Sequence, residues 1–65
     1  MNIVLINAIE ELPERQNLAI HLCYFERMSY TTAGKEMGIA KQCVQRLVLR
    51  AHRNLRRIIN EEINA

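Results

Sequence analysis

The strongest hydrophobic pattern lies in the second half of the chain, where apolar residues recur at intervals of three and four. Such spacing places them on one face of an α-helix. The pattern predicts a long fourth helix over about residues 40–60. Its apolar stripe would consist of Val44, Leu47, Val48, Ala51, Leu55, Ile58 and Ile59.

The first third of the chain predicts two shorter helices separated by a proline. The first, over about 2–11, would bury Ile3, Ile6 and Ile9. Leu12 ends it, because the residue before a proline disfavours helical geometry. Pro13 can open the next helix, where its missing N–H is not needed. That second helix is predicted over about 13–25, with a stripe of Leu18, Leu22 and Phe25.

Residues 29–50 have the features of a helix-turn-helix. Ser29 is a typical N-cap for a third helix over 30–37, and Gly38 can take the left-handed conformation that ends a helix in a sharp turn. Gly34 supplies a small residue where the two helices would cross. The apolar residues that would hold them together are Ala33, Met37, Ile39, Val44 and Leu47.

Length and composition agree with a single small helical domain. The chain has 65 residues with only 2 Gly and 1 Pro, and it is too short for a large enclosed cleft. We therefore predict an all-α fold, with one compact four-helix domain over 1–65. It would contain a C-terminal helix-turn-helix and a long basic recognition helix.

The sequence has no residue arrangement typical of an enzyme. It lacks a Ser-His-Asp or paired-carboxylate pattern and a glycine-rich phosphate loop, so we predict no enzymatic activity and no cofactor. Cys23 and Cys43 form no Cys-x-x-Cys pair, and His21 and His52 have no Cys or His four residues away, so we predict no metal site. The apolar stretch at 1–9 is too short to span a membrane. Reduced cysteines fit a cytoplasmic location.

Charge is divided unevenly along the chain. Residues 1–34 carry four Glu and two Arg, a net of −2, whereas residues 35–65 carry two Lys, five Arg and three Glu, a net of +4. Between residues 39 and 60 there are six basic residues and no acidic one. A polyanion would therefore meet the second half of the chain. The alternative is an ordinary solvated helix face.

The fourth helix would carry its arginines opposite its apolar stripe. With Val44 at zero and ~100° per residue, those between roughly 180° and 240° are Arg46, Arg50, Arg53 and Arg57. Candidate base-reading residues, able to bond base edges in the major groove, are Lys41, Gln42, Gln45 and Arg46. Candidate contacts to DNA phosphates, which position a protein without specifying sequence, are Thr31, Lys35, Arg50, Arg53 and Arg57.

Leu49 falls near ~140° on the same wheel, off the apolar stripe and beside the arginines. It could contact a thymine methyl group or an apolar partner surface, or it could be an ordinary exposed leucine. The sequence leaves these three interpretations open.

Several separated motifs resemble the fourth region of bacterial RNA polymerase sigma factors. They are Leu12-Pro13-Glu14-Arg15-Gln16, Tyr24-Phe25-Glu26, Ser29-Tyr30 and Gly38-Ile39. The similarity covers about residues 3–58 and keeps its register without gaps. It implies a compact helical domain with a C-terminal helix-turn-helix, which binds the promoter −35 element and docks on the flap of the polymerase β subunit.

The resemblance also implies roles for individual residues. The four candidate base-reading residues match the base-reading face of the family's recognition helix, Arg50 and Arg53 match its backbone-contacting side, and helices one and two match the flap-docking side. Three positions depart from the family pattern. Ala40 stands where a Ser or Thr cap is usual, Ala33 where Ile or Val is usual, and Arg27 where a turn glycine is common.

Three functions stay open at this point. The first is a DNA-binding transcription regulator in a bacterial or phage-infected cell. The second is a module that binds RNA polymerase or a sigma factor, with DNA contact secondary, and the third is a small dimeric helix-turn-helix repressor. A single domain makes few base contacts, so useful specificity would need a homodimer or a polymerase partner. The sequence lacks the sigma family's second region, so we expect a stand-alone sigma-like regulator, with an excised fragment as the alternative.

Overall fold

The computed structural model describes residues 3–64, and every regular element in that range is a helix. The helices are α1 (Ile3–Glu10), α2 (Glu14–Ile20, continued by a π-helical segment, His21–Phe25), α3 (Tyr30–Met37) and α4 (Lys41–Asn64). The predicted all-α fold is therefore confirmed. None of the helices in residues 3–64 combines the length and apolarity needed to span a bilayer.

A tight corner joins α1 to α2. Pro13 has φ −51° and ψ 146°, so it caps α2 rather than forming its first turn, and the helix starts one residue later than predicted. The Pro13 carbonyl accepts a hydrogen bond from the Asn17 N–H at 2.9 Å. The Asn17 side chain donates from Nδ2 to the Ile9 carbonyl at 3.1 Å. The Ile9 carbonyl also accepts from the Leu12 N–H at 3.1 Å, so the Asn17 bond links α2 to the last turn of α1 across the corner.

The helix that begins at Glu14 widens before it ends. Residues His21–Phe25 are π-helical, and the Glu26 N–H bonds the His21 carbonyl at 3.0 Å. Arg27 then has φ 56°, a left-handed conformation that is costly for a residue with a Cβ. Arg27 is one of the three departures noted above from the pattern of the family that the sequence resembles. The turn closes with the Met28 N–H bonded to the Leu22 carbonyl at 2.9 Å.

The helix-turn-helix has the geometry that the sequence predicts. Ser29 caps α3: its Oγ accepts from the Thr32 N–H at 3.1 Å and donates to Thr32 Oγ1 at 3.0 Å. Gly38 ends α3 with φ 70°, and the Ile39 N–H bonds the Gly34 carbonyl at 2.9 Å. A Cβ on Gly34 would lie only 2.6 Å from the Ile39 carbonyl oxygen. The turn therefore requires glycine at Gly34, for lack of space, and favours it at Gly38, for the left-handed φ.

The core lies where α4 crosses the three helices before it. Four of its members are alanines that are at most 1% exposed, namely Ala8, Ala19, Ala33 and Ala51. The larger members are Ile9, Leu12, Ile20, Val44, Val48 and Ile58. Small side chains let helices approach closely, so this thin core is still well packed.

The buried faces of α1 and α2 differ from the prediction. In α1 the buried residues are Ala8 and Ile9, while Ile3 is 72% and Ile6 37% exposed. A helix of eight residues is too short for periodicity to select one face reliably when most of its residues are apolar.

In α2 the buried residues are Ala19 and Ile20, whereas Leu18 is 45% and Phe25 40% exposed. The predicted stripe was therefore wrong at Leu18 and Phe25. A π-helical segment holds more residues per turn than an α-helix. Phe25 lies in this segment, so its direction differs from the one that an α-helical wheel predicts.

The last helix is longer than its predicted range of 40–60, since α4 runs from Lys41 to Asn64. The apolar stripe lies on its buried side, because every predicted member is buried or half-buried. Near its end, Arg57 Nη1 lies 3.2 Å from Glu61 Oε1. Such a pair one turn apart supports a helix weakly.

Candidate nucleic-acid interface

The four candidate base-reading residues are exposed on the first two turns of α4. Three of them, Gln42, Gln45 and Arg46, surround one shallow surface depression together with Leu49. Lys41 stands apart from this depression as the first residue of α4, immediately after the turn. The structure thus groups an amide pair, a guanidinium and an apolar side chain on one face.

The candidate phosphate contacts fall on two helices. Arg50 and Arg53 are exposed on α4, while Thr31 and Lys35 are exposed on α3. Thr31 and Lys35 are four residues apart and therefore share one face of α3. Arg57 is the candidate whose guanidinium bonds a carboxylate, at 3.2 Å from Glu61. Because both side chains of that pair are well exposed, the pair is weak and open to exchange.

Arg15 lies beside this candidate interface, and the sequence did not predict it. It lines a cavity of about 230 Å³ together with Arg46 and Arg50 of α4. The other residues of the cavity wall are Ile39, Cys43 and Leu47. Arg15 lies in the acidic half of the chain, and only the packing of α2 against α4 brings it here. The sequence carries no local signal for this position.

This cavity has the electrostatics of an anion site. All of its charged wall residues are arginines, and they come from two different helices. Guanidinium groups bond phosphate oxygens in a planar fork, so such a cluster favours a phosphate over a single point charge. The cavity therefore extends the basic face of α4 onto α2.

An apolar groove lies on another side of the domain. It has a volume of about 350 Å³, and its walls are Leu5, Ile9, Ile20, Tyr24, Phe25, His52 and Leu55. At its rim, Tyr24 Oη lies 2.7 Å from His52 Nε2. Partial burial raises the pKa of Tyr24, as do Tyr30 and Cys23 nearby. The phenol therefore stays protonated at neutral pH and can donate to the imidazole.

The two cysteines occupy different environments. Cys23 is half-buried against the core, and burial raises the pKa of its thiol, which keeps it neutral and unreactive. Cys43 is exposed in the wall of the arginine-lined cavity. Across residues 3–64, no group of three or more His, Cys, Asp or Glu side chains is placed to hold a metal ion.

The fold and this face together define a helix-turn-helix DNA-binding domain, with exposed arginines and amides on its second helix. Comparison with protein families gives a narrower assignment, because the family described as sigma-70, region 4 matches residues 8–57. The chain belongs to the sigma-70 region 4 family. Comparisons with curated proteins and with solved structures give no match. Domains of this family are not enzymes, and in general they bind DNA and RNA polymerase.

Proposed function

We propose that this protein is a DNA-binding transcription regulator that places the first turns of α4 in the major groove. The observation that carries the proposal is the exposed face formed by Gln42, Gln45 and Arg46, on a helix that follows the turn at Gly38. Amide and guanidinium groups on the first turns of a recognition helix are suited to bond adenine and guanine edges.

Specificity and affinity come from different residues in this proposal. The base-reading residues Lys41, Gln42, Gln45 and Arg46 select the sequence. Contacts to phosphates hold the domain in register and release counterions, which makes binding weaken steeply with salt. The residues proposed for those contacts are Arg15, Thr31, Lys35, Arg50, Arg53 and Arg57.

Selection from a random double-stranded DNA pool at two salt concentrations tests this proposal. The wild-type protein should enrich a motif, and Arg46→Ala should lose the preference at one position of that motif. Arg56→Ala is the matched control, because it removes the same charge from the same helix. Arg56 falls near ~120° on the helical wheel, outside the range of roughly 180° to 240° that holds Arg46. The control variant should keep the whole motif.

The opposite result is equally clear. If no motif is enriched, or if Arg46→Ala and Arg56→Ala select the same sequences as the wild type, α4 does not read bases. Binding of RNA polymerase would then be the better account of the domain.

The apolar groove favours docking on RNA polymerase as a second function. With Tyr24 52% and Phe25 40% exposed, the groove could accept the apolar face of a partner helix, as the flap of the polymerase β subunit would offer. Phe25→Asp should abolish capture of RNA polymerase, and the capture should survive high salt because apolar contacts are weakly screened. Leu18→Asp is the control, since Leu18 is exposed on the same helix but lies outside the groove. Equal capture by the two variants would contradict the docking function.

A homodimer is a third possibility, favoured by two exposed apolar residues at helix ends, Ile3 at 72% and Ile63 at 70%. A dimer would select a palindromic site and sediment at twice the monomer mass, and Ile63→Lys should restore the monomer. A non-palindromic site bound by a monomer would exclude the homodimer.

For each of these three functions, we propose the cytoplasm of a bacterial or phage-infected cell as the place of action.

A further inference from the structure

Leu49 is an apolar side chain that neither the core nor the apolar groove covers. Along α4, whose residues 41–64 are all described, the exposed large hydrophobic residues are Leu49 at 54% and Ile63 at 70%. Ile63 lies near the end of the helix, whereas Leu49 lies one turn after Gln45 and one residue before Arg50. The exposure of Leu49 therefore cannot be explained by the end of the helix.

The surroundings of Leu49 belong to the DNA-facing side. It shares its surface depression with Gln42, Gln45 and Arg46. The apolar groove does not include it. His52, three residues further on, lines that groove and lies 2.7 Å from the Tyr24 hydroxyl. A protein helix seated in that groove would therefore leave Leu49 exposed, and whatever covers Leu49 must also cover the glutamines and Arg46.

A partner on this side must be polyanionic and must also offer an apolar group. Arg46 and Arg50 flank Leu49, and together with Arg15 they line the neighbouring cavity. In the major groove, the apolar group that DNA presents is the 5-methyl of thymine, which contacts aliphatic side chains. A phosphate offers no such surface, so the arginines and Leu49 must contact different parts of the same duplex.

We propose that Leu49 contacts the 5-methyl group of one thymine and thereby selects T at one position of the target site. The proposal rests on the function proposed above, in which α4 enters the major groove. Leu49 lies about 6 Å beyond Gln45 along the helix axis, at 1.5 Å per residue. The selected thymine therefore neighbours the bases contacted by Gln45 and Arg46.

Replacing thymine by deoxyuridine tests this contact, because it removes the methyl group and leaves the base-pairing edge unchanged. Each thymine of the selected site is replaced in turn, and the duplexes are titrated with the full-length protein. One replacement should weaken wild-type binding about fourfold, as expected for losing one buried methyl-sized group. Leu49→Ala should bind the unmodified site more weakly by a similar factor and should be insensitive to that same replacement.

Two further variants make the outcome specific. Leu49→Met keeps an apolar side chain of similar reach and should retain sensitivity to the deoxyuridine. Leu18→Ala makes the same truncation at another exposed leucine, on α2, and should behave as the wild type. If the wild type and Leu49→Ala respond alike to every replacement, the inference about Leu49 is wrong while the DNA-binding function stands. If the wild type selects no site at all, the DNA-binding function fails, and the Leu49 contact with it.

Discussion

At the residue scale, the departures from the sigma family pattern have local physical consequences. Arg27 occupies a left-handed turn with φ 56°, where glycine would avoid the steric cost of a Cβ. Ala33 is completely buried. A single methyl group therefore fills a position where the family usually has a larger residue. The chain accommodates both departures without losing the helix-turn-helix.

Arg27→Gly should raise the free energy of unfolding by about 0.5–1 kcal/mol. The gain comes from removing the left-handed strain, less the extra freedom that glycine gives the unfolded chain. Urea denaturation measures it, with Arg27→Ala as a control that keeps the Cβ and should change little. Equal stabilities of the glycine and alanine variants would show that the turn carries no strain.

Tyr24 should make the domain sensitive to alkaline pH. Its pKa is raised above its ordinary value of 10.0, so its contribution to stability is complete below about pH 10 and is lost as pH rises through the folded-state pKa. Tyr24→Phe should therefore lose less stability than the wild type as the pH rises from about 10 through the folded-state pKa. Cys23 titrates in both proteins and its charge acts on the Tyr24 phenol, so the difference between them reports Tyr24 together with this coupling. Parallel alkaline unfolding curves would contradict this expectation.

At the element scale, α3, its turn and the start of α4 could be predicted because their determinants are local. Ser29 and Gly38 act on the backbone within one turn, and Gly34 acts on the turn beside it. The buried faces of α1 and α2 could not be predicted, because almost any face of such short apolar helices is compatible with the sequence. The place of Arg15 beside Arg46 and Arg50 could not be predicted either, since only the crossing of α2 over α4 sets it.

Gly34→Ala should destabilise the helix-turn-helix. The new Cβ would meet the Ile39 carbonyl oxygen at 2.6 Å, so the turn must shift, at a cost of about 1–3 kcal/mol. Gly38→Ala is the comparison, because its Cβ has open space and only the φ of 70° opposes it, at about 1–2 kcal/mol. Thermal unfolding measures the loss of stability in both variants. DNA binding is measured for Gly34→Ala as well. DNA affinity that survives unchanged in Gly34→Ala would contradict the role of this contact.

Ala40→Ser should stabilise the start of α4. The Ala40 carbonyl already accepts from the Val44 N–H at 3.2 Å, so Ala40 occupies the cap position, but its methyl side chain cannot accept from the first turn. A serine hydroxyl there is worth about 0.5–1 kcal/mol. Chemical denaturation measures the gain, and Ala40→Val, which adds bulk without a hydroxyl, should show none. A gain in both variants would attribute the effect to packing instead of capping.

At the scale of the whole molecule, two different surfaces lie on one small domain. The cavity lined by Arg15, Arg46 and Arg50 offers positive charge, and the groove beside Tyr24 and Phe25 offers apolar surface. The two surfaces share no lining residue, so DNA and a protein partner could occupy the domain together. The sequence predicted this separation only in part. It assigned positive charge to the second half of the chain, whereas the folded surface brings Arg15 from the first half beside Arg46 and Arg50 from the second.

Arg15→Gln should weaken binding of all DNA sequences by a similar factor. A phosphate contact carries no base preference, and losing one should reduce the slope of log affinity against log salt by about 1. Arg27→Gln is the matched control, because it removes the same charge from the acidic half of the chain but lies outside the arginine-lined cavity. Identical salt slopes for the two variants would place Arg15 away from the DNA.

The four buried alanines, Ala8, Ala19, Ala33 and Ala51, bear on how such a domain can diverge. Each fills its site with a single methyl group, so a larger side chain there needs a matching shift of the helices, as at position 33, where the family usually has Ile or Val. Gln42 and Gln45, by contrast, are exposed on the outer face of α4. Substitution at these two exposed positions therefore requires no such shift. Under the proposed function, a lineage carrying this scaffold can exchange Gln42 or Gln45, and with them its preferred target, while the helices keep the same arrangement.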